Sequence, residues 1–139
     1  MIVASNGNEL RIEAENDVDY VLKSLPATIA HEQASRPAST KLVIALSVDG
    51  TFTKPIPGGR GLITRADNDA VQKKLGMEPS EFHVNSARID QIFSVRAKLR
   101  FEYELGDCKG EELVDIIKKR LKTFRDKGLR IQELPPSDE

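Results

Sequence analysis

The chain has no tryptophan, one cysteine and two histidines, and aromatic residues make up only 5% of it. The lone cysteine, Cys108, excludes an intramolecular disulfide and with it the stapled secreted scaffolds, so a cytoplasmic setting is expected. His31 and His83 stand in no metal-ligand spacing. His31-Glu32 lacks the later histidine that a metalloprotease helix needs, and neither a metal nor a cofactor is expected. No sign of charge prevails, since 21 basic and 22 acidic residues leave a formal net charge of −1. The molecule therefore has no bulk attraction for nucleic acid or membrane, and any such attraction must come from a local patch. No apolar run approaches the ~20 residues of a membrane span, and the first residues lack the pattern of a signal peptide, so no membrane partner is expected.

What is present is 39% hydrophobic and 31% charged sequence over 139 residues, the composition of one globular domain with a modest core. Residues 1–134 are expected to form that domain, with 135–139 as a flexible polar tail. The strongest pattern lies at 92–105, where Phe93, Val95, Ala97, Leu99, Phe101, Tyr103 and Leu105 alternate with polar residues. This period of two is that of a strand with one buried and one wet face. Asn6-Gly7-Asn8 marks a hairpin between two short N-terminal strands. Val18, Val21, Leu22 and Leu25 recur at helical spacing behind a cap at Asn16 or Asp17, and Pro26 is expected to stop or redirect that helix. Residues 27–40 read as a thin helix and an exposed linker, a candidate lid or swapped arm.

Lys41 to Val48 is nearly continuous apolar sequence, an interior strand that Asp49-Gly50 should turn. Thr51 to Pro57 reads as extended, and Leu62 to Thr64 as a short strand. Asp67 should cap a helix that buries Val71 and Leu75 and ends at Gly76. Phe82-His83-Val84 is a short strand, with a turn or bulge before the long one. Gly110 to Lys127 is a C-terminal helix with Leu113, Ile116, Ile117, Leu121 and Phe124 as its buried stripe, and a final strand follows Gly128. The expected fold is α+β: one domain, a mainly antiparallel sheet with the long central strand 92–105, and helices packed on one face, including the long C-terminal helix 110–127.

Three places could carry chemistry. On the outer face of the long strand, Arg96, Lys98 and Arg100 recur roughly every 7 Å. That is close to the separation of successive phosphates along a nucleic-acid strand, about 6–7 Å. The plain alternative is a solubilising face paired with acidic residues such as Glu9, Glu13 or Glu102. Pro57-Gly58-Gly59-Arg60-Gly61 is neither a Walker loop nor a dinucleotide fingerprint. Glycines such as Gly58 and Gly59 nevertheless let backbone amides converge on an anion, and Arg60, with Arg65 beyond it, can fork onto a phosphate. The third place is the wet face of the C-terminal helix, with Lys118, Lys119, Lys122, Arg125 and Lys127, which reads best as an ordinary solvated face. His83 should point to the polar side of its strand. Phe82 is either core or a platform on which a base stacks. Cys108 sits near a helix N-terminus, which lowers a thiol's pKa, but no histidine is placed to act with it.

With no catalytic set, the expected function is a small non-enzymatic cytoplasmic binding protein. Its ligand would be phosphorylated, a nucleotide or oligonucleotide, held by Arg60, Gly58, Gly59, Arg65, Phe82, His83, Arg96, Lys98 and Arg100. The partner is then a phosphorylated small molecule or short nucleic acid, and the chain itself is expected to form a homo-oligomer, a dimer or larger. One alternative is a structural or adaptor protein whose long strands form an oligomer interface. Another is a small hydrolase using His83 or scattered aspartates.

Overall fold

The computed structural model describes residues 1–52, 65–84 and 92–131. In chain order the elements are β1 (Ile2–Asn6), β2 (Glu9–Glu15), α1 (Val18–Ser35), β3 (Lys41–Phe52), α2 (Arg65–Leu75), β4 (Phe82–Val84), β5 (Phe93–Glu104), a 3-10 turn at Leu105–Asp107, α3 (Gly110–Asp126) and β6 (Leu129–Ile131). The sheet order is β1-β2-β3-β5-β4, with β6 also paired to β3. All pairings are antiparallel except β2 with β3, which run parallel because α1 carries the chain back across the sheet. The fold is the expected α+β one.

The alternation read at 92–105 becomes β5, inside the sheet between β3 and β4. Phe93, Val95, Ala97 and Leu99 are buried, while Phe101 and Tyr103 are only half-buried towards the strand's end. On β3 the even residues Leu42, Ile44, Leu46, Val48 and Phe52 join the same core, with Leu10 and Ile12 of β2. Three helices cover this face. α1 contributes Val18, Leu25 and Ile29, α2 contributes Val71 and Leu75, and α3 contributes Leu113, Val114, Ile117, Leu121 and Phe124. Among the described residues no helix covers the other face, called the open face below. Among the described residues its one fully buried side chain is Val43, opposite Arg11 on one side and Glu102 on the other.

Several details depart from the sequence expectations. Pro26 does not stop α1, which runs on to Ser35. Proline removes one helical hydrogen bond, but Leu25 and Ile29 on either side are fully buried, and their burial offsets that loss. The stretch read as a thin helix and linker is thus mostly the second half of α1, and Gln33 ties it down by donating to the carbonyls of Leu105 and Cys108, each at 2.7 Å. Asp49-Gly50 does not turn the chain either. β3 continues through it, and Gly50 is where the paired strand β6 approaches closely: a Cβ there would lie 2.9 Å from the Leu129 side chain. On α3, Leu113, Ile117, Leu121 and Phe124 are buried as expected, but Ile116 is 43% exposed and Val114 is buried in its stead.

Asp67 lies inside the first turn of α2, buried, instead of before it. Asp17 occupies the N-cap of α1 without a side-chain cap bond. At the first hairpin only Gly7 takes positive φ, at 62°, the turn geometry that wants glycine at its first central position. The extended run after Phe52, the strand at 62–64, the turn or bulge before β5, and residues 132–139 with their tail lie outside the described residues.

Candidate functional site

The open face of the sheet collects the sequence candidates on β4 and β5. Strand parity turns Arg96, Lys98 and Arg100 to that face. Register then sets them beside Asp49, Ser47 and Ala45 of β3 respectively. His83 stands on the other side of Arg96, on β4, and is exposed there as its alternation implied. Phe82 lies on the opposite, helix-covered face, opposite Ala97 and packed at the margin of the core, so it offers no stacking surface beside the basic row. Arg65 is exposed at the first turn of α2. Gly58, Gly59 and Arg60 lie outside the described residues.

The basic row is not bare. Arg96 donates a hydrogen bond to Glu15, at the end of β2, and its Nε lies 3.4 Å from Oδ1 of Asp49. These last two atoms are buried and attract each other without forming an aligned hydrogen bond. The Glu15 bond is the largest influence on Arg96 and pushes its pKa further up; partial burial opposes this, and the charges of Asp49 and Glu15 add to it. Asp49 is itself fixed by Asn16, whose Nδ2 donates to Asp49 Oδ2 at 2.7 Å and whose Oδ1 accepts from the Asp49 amide at 2.8 Å. Asn16 adopts φ 60° to make this bridge. Asparagine tolerates that conformation better than most residues, so the residue after β2 serves as a clamp between β2 and β3.

Further along the face, Arg100 meets Glu102 at 2.6 Å, and Lys41 meets the same carboxylate at 3.6 Å. The hydrogen bond from Arg100, then the charges of Lys41 and Arg100, hold Glu102 below the usual carboxylate range. Arg11 joins Glu9 and Glu13. The cross-strand pairing anticipated as the plain alternative is therefore present for Arg96, while Arg100 pairs with Glu102 two residues along its own strand. Lys98 differs: it is exposed and makes no ion pair among the described residues. Its surroundings are hydroxylic and cationic, with Ser47 directly opposite and Arg96 and Arg100 two residues away on either side.

No protein-family model matches the chain, and neither the curated proteins nor the solved structures contain a match to it.

The remaining candidates separate in space. Among the described residues no three His, Cys, Asp or Glu side chains gather as a metal site. Asp49 is engaged on the sheet, Asp67 is buried in α2 and Asp69 is exposed on it, so the aspartates do not converge. Cys108 is buried, and desolvation, with the nearby charge of Glu112, pushes its thiol up in pKa, contrary to the lowering expected from a helix start. It lies in the wall of a cleft of about 400 Å³ between α1 and the start of α3, where the charges of Asp107, Lys109 and Glu111 are mixed. Arg120 closes a structural knot by donating to Glu81 and to the Gly76 carbonyl at 3.3 Å while lying over the Phe124 ring. Residues that composition could not single out are Glu15 and Asn16. The one local signal was an asparagine directly after an alternating strand, which reads equally as a helix cap.

Proposed function

We propose that this is a non-enzymatic binding protein for a small phosphorylated ligand, a nucleotide or a short oligonucleotide, held on the open face of the sheet. The single observation behind this reading is Lys98. It is an exposed cation without a carboxylate partner among the described residues, on a strand between two arginines that are already ion-paired. Ordered cations meet an anion with little loss of side-chain freedom. Arg96 can serve if the ligand's phosphate replaces Glu15. Glu15 is 64% exposed at the end of β2, and exposed ion pairs are weak and salt-screened, so the exchange is energetically light. Asp49 remains behind Arg96 and keeps it aimed. Ser47, opposite Lys98, and His83, beside Arg96, would supply further hydrogen bonds. Arg60 and its glycines, which follow β3 in the chain, and Arg65 belong to this reading on sequence grounds.

Calorimetric titration with mononucleotides, cyclic dinucleotides and short oligonucleotides at two salt concentrations tests it. At least one ligand should bind at micromolar Kd in low salt. Lys98→Glu and Arg96→Glu should each weaken it about tenfold to a hundredfold, the span of a lost charged hydrogen bond. Arg60→Ala should weaken it as well. If no phosphorylated ligand binds better than millimolar, or if the Lys98 and Arg96 variants bind as the parent does, the basic row is only a solvated face.

A further inference from the structure

The two edges of the sheet are guarded unequally. Beyond Lys98 no strand lies beside β5 among the described residues, but that stretch carries Arg100, Glu102 and Glu104, and charge is a usual protection against edge pairing. At the opposite edge β1 reads Ile2-Val3-Ala4-Ser5-Asn6. It has no charge and no proline, all five residues are exposed, and Ile2 and Val3 are 65% and 41% exposed. A five-residue strand is of ordinary length, so brevity does not protect it.

We propose that β1 pairs antiparallel with β1 of a second copy of this chain across a two-fold axis at Ala4, joining the two sheets into one. The register follows from the hairpin. Asn6 opposite Glu9 closes the two-residue loop Gly7-Asn8, and such a closing pair exchanges both of its backbone hydrogen bonds. Bonding alternates along an antiparallel pair, so Asn6, Ala4 and Ile2 turn their N–H and C=O groups to β2. Those of Val3 and Ser5 point outwards. One symmetric alignment satisfies them all: Val3 opposite Ser5 of the partner subunit, Ser5 opposite the partner's Val3, and Ala4 opposite the partner's Ala4. Small side chains then meet at the axis. The charged β2 strands stand three strand spacings apart, about 14 Å, beyond the ~8 Å reach of unscreened charge at physiological salt. An uncharged edge whose free backbone groups alternate in this way is complementary to a second copy of itself, and two-fold pairing closes it.

Cysteine cross-linking reads the register directly. Facing residues of a non-hydrogen-bonded pair have Cα atoms about 4.5 Å apart, within disulfide range. The native Cys108 is buried and does not compete. Under mild oxidation Ala4→Cys should convert nearly completely to a covalent dimer, and Ile2→Cys, which would face Asn6, should not. The native chain should sediment at twice its 15.4 kDa. Val3→Pro deletes an outward N–H without touching the β1–β2 bonds, and Ser5→Lys places a charge on the edge. Both should give monomers with the parent's circular dichroism, and Ser5→Lys decides the matter should the proline variant fail to fold. A native monomer at tens of micromolar, a Ser5→Lys variant as dimeric as the parent, or Ile2→Cys cross-linking as readily as Ala4→Cys would overturn the proposal.

Discussion

Gly110→Ala is the sharpest probe of how the helical layer is built. Gly110 begins α3 against the middle of α1, and a Cβ placed there would lie 2.5 Å from Pro26 Cα, 3.1 Å from its Cβ and 3.4 Å from its nitrogen. The first and third of these are backbone atoms of a helix, so no rotamer change relieves them. Ordinary carbon–carbon contact is about 3.5–4.0 Å, so the helices must separate by roughly 1 Å, enough to forfeit a quarter to half of the dispersion attraction along their contact. Overpacking of this kind costs about 1–3 kcal/mol. Gly110 does not have positive φ, so alanine suffers no backbone strain there. The first helical residue also gains less than the ~1 kcal/mol of propensity available in a helix interior. The net expectation is a loss of about 2 kcal/mol, which for a chain of this size lowers Tm by about 6 °C. Differential scanning calorimetry of Gly110→Ala beside Gly7→Ala separates the causes. Gly7 has positive φ and nothing within 4 Å, so its loss is conformational only, about 1 kcal/mol. A Gly110→Ala variant that melts at or above the parent temperature would refute the close crossing of α1 and α3.

Phe124→Ala should cost about 3–5 kcal/mol by denaturant titration, because the ring is wholly buried in the helix–sheet core. Phe101→Ala, although on the core parity of β5, should cost only about 1–2 kcal/mol, in proportion to its partial burial. Cys108 should resist a thiol reagent at neutral pH until the chain unfolds; rapid labelling of the native protein would contradict its burial. Its raised folded pKa also fixes a sign: the associated stability is present below the unfolded thiol's pKa and is lost as pH rises through the folded value, so melting temperature should fall at alkaline pH and fall less in Cys108→Ala. Glu102 has the opposite sign, a depressed carboxylate whose contribution is present above its unfolded pKa and lost on acidification through the folded value.

The parts of this fold that were legible in the sequence are those set by periodicity. The period of two along β5 and the helical stripe of α3 fix which faces are buried, because burial repeats with the geometry of each element. Punctuation residues were less legible. Pro26 and Gly50 carry local signals to stop, yet Pro26 sits inside a helix held by buried neighbours and Gly50 inside a strand that β6 pairs with closely. Both outcomes depend on contacts distant in sequence: α3 against Pro26, Leu129 against Gly50. Val114 and Ile116 flank the α3 stripe on opposite edges, two residues and so about 200° apart around the helix, and tertiary packing decides which edge is buried. The basic row was legible as a row, but its electrostatics were not. Glu15 and Asp49 reach Arg96 across 81 and 47 residues of chain through the β2–β3–β5 register, which no local pattern encodes.

That register also limits what the face can hold, and the limit can be measured. The cationic strip runs from Arg96 to Arg100, five residues whose four steps span roughly 13 Å. Next to Arg100 along the strand stands Glu102 and then Glu104, while Glu13 and Glu15 border the strip on the β2 side. On the proposed function, a ligand with two or three phosphates would match the strip, and a longer strand would carry its further phosphates into carboxylates, where like charge repels. Affinity should therefore rise from mono- to di- or trinucleotide and then level off. The salt dependence should correspond to the same few phosphate contacts at every greater length. Fluorescence anisotropy with oligonucleotides from two to twelve residues would show the plateau. Affinity and salt slope that kept growing with length would mean that the ligand tracks a different, continuously basic surface, and the open face of the sheet would no longer be the site.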